Sequence, residues 1–167
     1  HDCERYLMLG ITLDGGLAEY CAVPARHLYK LPDHVTAEEG ALIENLANAV
    51  AAARNAELQV GERVVVIGAW SVAILALQVA RRHSPGALAL VGTGPQRLAI
   101  GKRLGATHAI DLDEEDAGER LNEALDGRGA DVVLMCGTTR NELEFGIEAV
   151  ATGGRIVVEG HFDPEAT

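Results

Sequence analysis

The sequence predicts an α/β chain built on a doubly wound parallel sheet, and three observations carry that reading. Residues 64–67 are an unbroken β-branched run, Val-Val-Val-Ile, which suits a strand buried on both faces. Gly68 ends the run, and Ile74, Leu75, Leu77 and Val79 then sit among alanines, which suits a buried helix. From there strand-like and helix-like segments alternate regularly, the pattern of βα units joined by right-handed crossovers.

Taken in order, residues 1–9 are a polar-to-apolar lead-in without a period, and Asp14-Gly15-Gly16 signals a turn. Residues 17–23 read as a short strand ended by Pro24. Residues 27–31 read as a second, closed by Pro32-Asp33. This opening is expected to be the tail of a small all-β region rather than part of a βα unit. Thr36-Ala-Glu-Glu39 is a capping box, so a long alanine-rich helix is expected from Ala37 to about Ala56. Its interior carries Glu44 among Leu42, Ile43 and Leu46, either as an exposed helix position or as a metal ligand or acid/base group. After the strand at 64–67 and its helix, residues 87–91 make a second strand. Residues 96–104 make a helix stopped by Gly105. Residues 108–112 are a third, weaker strand, 114–125 an acidic surface helix, 131–135 a fourth strand and 142–151 a helix. Gly153-Gly154 then turns into a fifth strand at 155–158, one strand short of two complete βαβαβ halves.

The 167 residues are enough for a domain with a substantial core, and 48% hydrophobic content with a mean hydropathy of +0.09 marks a globular chain. Aromatics are only 4%, so the core must be mostly Val, Leu, Ile and Ala. A net charge of −11 and a pI near 4.9 argue against nucleic-acid and anionic-membrane partners, because phosphates would be repelled. The three cysteines, Cys3, Cys21 and Cys136, are odd in number and widely spaced, so a reducing cytoplasm is expected rather than a disulfide framework. No signal peptide is expected, because the first residues are polar and charged. The apolar run 64–80 is short for a membrane span and is interrupted by Gly68, Ser71 and Gln78. A first residue of His1 rather than Met points to a piece of a longer protein.

Ligands in such sheets bind at the carboxyl ends of the strands, so the residues delivered there are the candidates. A strand, a tight glycine turn and a helix open a dinucleotide-binding unit, whose helix N-terminus offers free N–H groups and partial positive charge to a pyrophosphate. The turn here supplies Gly68, Ala69, Ser71 and Val72. A G-x-G-x-x-G fingerprint needs glycine at 68, 70 and 73, whereas the chain has Gly68, Trp70 and Ala73. Ala73 is compatible with the packing role of the third position, but Trp70 stands where backbone should approach phosphate and could occupy the pyrophosphate's place. The second strand delivers Gly92-Thr93-Gly94. An NAD-binding protein places an acid at that point to hold the ribose diol. Gly92 instead removes repulsion against a 2′-phosphate, which Thr93 and Arg97 could contact, and tilts the expectation from NAD toward NADP. The alternative for Arg97 is a solvated helix charge. The fourth strand delivers Cys136-Gly137-Thr138 and the fifth Glu159-Gly160-His161, where His161 reads as a surface histidine.

These residues resemble the zinc-type medium-chain dehydrogenases, which include alcohol, sorbitol and threonine dehydrogenases. Asp14-Gly-Gly-Leu-Ala-Glu-Tyr20, Val23-Pro-Ala25 and Leu31-Pro32 resemble the stretch that closes the family's GroES-like catalytic domain. Ala41-Leu-Ile-Glu-Asn-Leu-Ala47, Val60-Gly61 before Val64-Val-Val-Ile-Gly-Ala69, Leu98 through Gly105-Ala106, Arg128-Gly-Ala-Asp-Val-Val133 and Gly153-Gly-Arg-Ile-Val-Val158 follow in the family's order and spacing. The resemblance implies that Glu44 falls on a position able to supply a ligand to the catalytic zinc. A carboxylate oxygen can join Cys and His there and leave a place for a substrate oxygen. It puts Cys3 at the last cysteine of the structural zinc lobe, and Val72, Arg97, Glu159, Gly160 and His161 at cofactor-contacting positions. The departures are Trp70, Ser71 and Ala73 in the phosphate turn, Asn45 in place of a proline, and Glu159 in place of an apolar residue.

What the resemblance implies is a zinc-dependent oxidoreductase passing hydride between an alcohol or polyol and NADP or NAD, a homodimer or homotetramer when intact. Residues 1–35 would be the end of the GroES-like domain, and 36–167 a Rossmann-like dinucleotide-binding domain truncated after its fifth strand. The family's catalytic cysteine and histidine belong to a segment expected before His1. No catalytic residue is therefore assigned, the Zn2+ site is expected to be incomplete, and the piece alone is expected to be inactive. Two rival readings stand beside this one. The first is a Rossmann-like remnant that has lost its cofactor and serves folding or oligomerisation. The second is a zinc-free reductase of the same superfamily, against which Glu44 and Cys3 argue.

Overall fold

The computed structural model describes residues 7–159, which divide into two compact units, one ending at Gly40 and the other beginning at Ala41. In the first unit the two expected strands at 17–23 and 27–31 do not form. A strand needs a neighbour's N–H and C=O groups, and among the described residues of this unit there is only an isolated bridge, Leu9 to Leu13. Leu17 is accordingly fully exposed, at 106%. Pro24 precedes a single 3-10 turn, Ala25–His27. The capping box does form: the Glu39 amide donates to Thr36 Oγ1 at 3.2 Å and the Thr36 amide donates to Glu39 Oε2 at 2.9 Å. The helix it opens, α1 (Ala37–Gly40), is one turn long rather than the start of a continuous helix to Ala56. Glycine is among the weakest helix formers, and Gly40 also packs on Leu31, whose Cδ1 would be 2.6 Å from a Cβ at that position.

The second unit begins with α2 (Ile43–Asn55) and continues as β1 (Arg63–Ile67), α3 (Ser71–Arg81), β2 (Ala87–Gly92), α4 (Pro95–Leu104) and β3 (His108–Asp111). It ends with α5 (Ala117–Ala124), β4 (Ala130–Met135), α6 (Arg140–Ala149) and β5 (Val150–Val158). The five strands make one sheet in the order β3-β2-β1-β4-β5, parallel throughout. The expected doubly wound fold is therefore present. β1 lies at its centre, with Val65 paired to Ala89 on one side and Val133 on the other.

Alternation along the strands divides the core into two layers. Val64, Val66, Leu88, Leu90, Val132 and Leu134 face α2, α3 and α4. Val65, Ile67, Ala89, Val91, Val133 and Met135 face α5 and α6. Burial on both faces explains why β1 carries no polar residue after Arg63. The scarcity of aromatics is met by close approach: Ala49, Ala52 and Ala53 of α2 are buried in the same cluster as Ala73, Ala76 and Ala80 of α3. Gly153-Gly154 is not a turn before the last strand but an irregularity inside β5. The partner register jumps there, from Ala130–Val150 to Val132–Arg155, and Gly153 adopts φ +80°.

Candidate functional site

The chain runs outward from β1 through β2 to β3 and then returns to the other side of β1 as β4, so the strand order reverses between β1 and β4. Open parallel sheets bind ligands at the carboxyl edge of such a reversal. The turn after β1 is held close to that edge. Gly68 has φ +102°, and a Cβ on it would lie 2.9 Å from the Gly137 amide nitrogen, so glycine is required by both conformation and contact. The Gly68 amide donates to the Val91 carbonyl at 2.7 Å, and the Cys136 amide to the Ile67 carbonyl at 2.9 Å. The ends of β1, β2 and β4 are thereby tied into one platform. Ala69 is buried behind it, and Ser71 starts α3 with its Oγ 3.4 Å from the Asn45 amide nitrogen.

Four helices, α3 to α6, begin at this edge; α5, behind Asp116, carries Glu119 in its first turn, and the N-termini of the other three differ. The N-cap of α3 is Trp70, which has no side-chain acceptor to offer, so no cap bond reaches the first-turn N–H groups preceding Val72 and beyond. The N-cap of α4 is Gly94, φ +94°, again without a side-chain cap and followed by Pro95. In contrast, α6 is closed by a second capping box. Glu142, only 6% exposed, accepts from the Thr138 and Thr139 amides at 3.0 Å and from Thr139 Oγ1 at 2.9 Å. Free N–H groups and helix-end positive charge suit an anion. The start of α6 has supplied its own carboxylate, whereas α3 and α4 have none. Glu142 was not singled out from sequence, although Thr139-x-x-Glu142 is a legible capping signal.

At the end of β2, Gly92 has no room for the acid whose absence the sequence shows. A Cβ there would be 2.9 Å from both the Ala69 Cβ and the Ala69 nitrogen. Trp70 and Thr93 line a groove of about 540 Å³ together with Leu112, Asp113, Thr138 and Arg140. Trp70 does not lie folded into the turn. It is 57% exposed, and the Arg97 guanidinium carbon stands 3.5 Å from its ring centroid.

Cys136, buried at the end of β4, has its thiol pushed up to about 12, first by burial and then by the nearby Glu159 charge. It is neither a thiolate nucleophile nor a ready metal ligand. Glu159 follows β5, its amide donating to the Met135 carbonyl at 2.9 Å, and burial raises its carboxyl above the usual range. Gly160, His161 and Cys3 lie outside the described residues. Glu44 sits in the first turn of α2, exposed, its Oε1 accepting from the Asn48 side-chain amide at 2.9 Å. Among the described residues no three His, Cys, Asp or Glu side chains come together. One carboxylate is not a zinc donor set. A dinucleotide fits this edge, with its glycine turn and two uncapped helix starts; a zinc ion does not fit the described residues.

Comparison with known proteins gives the chain's relatives. Residues 71–167 match the sequence profile described as "Zinc-binding dehydrogenase". The L-threonine 3-dehydrogenase of Pyrococcus horikoshii is 31% identical over 100% of this chain and 48% of its own length. The sorbitol dehydrogenase of Bacillus subtilis is 29% identical over 89% of this chain and 42% of its own. The crystal structure of 2R,3R-butanediol dehydrogenase from Bacillus subtilis superimposes with a TM-score of 0.79 at 27% identity, over 95% of this chain and 46% of that one. The chain thus spans about half the length of the curated relatives it matches, at 48% and 42%.

Proposed function

The chain belongs to the zinc-binding dehydrogenase family, and from that membership we propose that it is the coenzyme-binding part of an enzyme passing hydride between an alcohol or polyol and NADP or NAD. The observation that carries this is the pair of uncapped helix starts, α3 and α4, beside the Gly68 turn at the point where the strand order reverses. A bound nicotinamide dinucleotide supplies the hydride acceptor or donor. This chain's own residues do the rest: Gly68, Ala69, Ser71 and Val72 seat the diphosphate against the α3 N–H groups, and Gly92, Thr93 and Arg97 receive the adenosine ribose. Gly160 would follow at the end of β5. The missing carboxylate at 92 and the cation at 97 favour NADP.

Residues 1–35 are read as the end of a GroES-like domain and 36–167 as the Rossmann-like domain. The intact enzyme is read as a cytoplasmic homodimer or homotetramer. Glu44 and Cys3 are read as members of zinc sites completed by residues outside this chain, and no step is derived through a metal here. Among the described residues no helix is long and apolar enough to cross a membrane.

The test is a calorimetric titration of the 167-residue chain with NADP and with NAD. Binding of either at micromolar concentration supports the proposal. No heat up to millimolar concentration supports the alternative reading, favoured by the bulk of Trp70 in the phosphate turn, of a remnant that has lost its cofactor.

A further inference from the structure

The indole at position 70 and the guanidinium at 97 come from the starts of neighbouring helices, and the guanidinium carbon stands over the ring, 3.5 Å from its centroid. Neither has an obvious reason to be there as part of the core. Trp70 is 57% exposed. Arg97 is the third residue of α4, where the helix dipole disfavours a cation, and the first turn of α4 holds no acidic residue to offset it. The ion pairs of the described residues use Lys30, Arg63, Arg120, Arg128 and Arg155, and Arg97 is not among them. A guanidinium stacked on an aromatic face uses its π-face for that contact and keeps its in-plane N–H donors for another partner. A cation held at an unfavourable helix end, with no hydrogen bond or ion pair from those donors among the described residues and with Gly92 offering no carboxylate at the end of β2, is arranged for an anion.

We propose that Trp70 is the positioning residue that sets coenzyme choice: its indole is the shelf that holds Arg97 for the 2′-phosphate of NADP. This rests on the nucleotide-binding reading above and assigns the residue that appeared to spoil it. The indole is more exposed than buried. It is a side wall of the groove, with Thr93 beside it. NAD lacks the group that Arg97 awaits, so the chain discriminates between two coenzymes that differ in one phosphate. The discrimination runs through Arg97, which makes the two side chains non-additive.

The test uses the full chain and measures Kd for NADP, NAD, adenosine 2′,5′-bisphosphate and 5′-AMP by calorimetry. It compares the wild type with W70F, W70A, R97A and the W70A/R97A pair, each checked for folding by far-UV circular dichroism. A charge-assisted contact of this kind is expected to favour NADP by roughly tenfold or more in the wild type. R97A abolishes that ratio, W70A removes most of it, W70F keeps most of it because a phenyl face still supports the guanidinium, and W70A changes nothing further in the R97A background. The bisphosphate and 5′-AMP should show the same ratio without the nicotinamide half. If W70A keeps the wild-type ratio, or tightens NADP and NAD equally, the shelf is wrong and the indole is filler or obstruction, while the dehydrogenase reading stands. If the wild type binds none of the four ligands, both readings fall together.

Discussion

A Cβ placed on Gly92 would lie 2.9 Å from the Cβ of Ala69, so the end of β2 and the turn after β1 touch with no space for a side chain. The same hypothetical atom is 2.9 Å from the Ala69 nitrogen and 3.0 Å from the Gly68 carbonyl carbon, so trimming Ala69 would not relieve it. An acid introduced here to hold a ribose diol has to move backbone. G92D is therefore expected to lower stability by about 1–3 kcal/mol, the usual penalty of overpacking, and G92A nearly as much. Urea unfolding followed by circular dichroism checks this. A G92A midpoint equal to that of the wild type would show that the platform is softer than the contact implies.

Gly68 carries two constraints rather than one. Its φ of +102° disfavours any L side chain, and its Cβ would press on the Gly137 amide at 2.9 Å and the Cys136 carbonyl carbon at 3.1 Å. G68A is expected to cost about 2–4 kcal/mol, combining conformational strain and overpacking, and to weaken nucleotide binding beyond what lost stability explains. Thermal melts with and without millimolar NADP separate the two effects, because only a damaged site loses the ligand-dependent rise in Tm.

Much of this was legible in the sequence because local signals and tertiary demands agree there. Val64 to Ile67 is apolar on both faces because both faces are covered. Thr36 and Glu39 cap each other across a single turn, which needs nothing from the rest of the chain. What escaped depends on distant contacts. Gly92 reads as a lost carboxylate until Ala69 is seen against it. Trp70 reads as an obstruction until Arg97, 27 positions away, is found over its ring. The strands expected at 17–23 and 27–31 have strand-like composition, but composition does not supply a ladder partner.

The Arg63–Asp131 pair ties the amino ends of β1 and β4, opposite the candidate site. Asp131 accepts from the Arg63 amide at 2.8 Å and from its Nε at 2.9 Å, with a further contact from Nη2 to Oδ1. The hydrogen bond from Arg63, opposed by partial burial, brings the Asp131 carboxyl from 3.8 down to about 2. A depressed carboxylate stabilises the fold fully above its unfolded value. That stability is lost as pH falls from about 4 through about 2. D131N should lower the urea midpoint at pH 7, where it leaves a largely buried guanidinium without its ion partner, and should flatten the decline between pH 4 and pH 2. A mutant whose acid limb parallels the wild type would show that other carboxylates govern this window.

Cys136 and Cys21 should differ sharply toward a thiol reagent. Cys21 is exposed, while Cys136 is buried and its thiol is pushed up to about 12 by burial and by Glu159. Only the thiolate reacts, so Cys136 is doubly protected, by access and by protonation. Iodoacetamide labelling of the folded chain at pH 8, mapped by peptide mass spectrometry, is expected to modify Cys21 and leave Cys136 intact, with both modified in urea. Raising the pH to 9.5 should not change that result, since the folded thiol is still largely protonated there. Replacing Glu159 with Gln removes the smaller of the two causes and should leave Cys136 unlabelled. If E159Q alone exposed Cys136 to the reagent, the neighbouring charge rather than burial would be its protection, and the end of β4 would be more open than its packing shows.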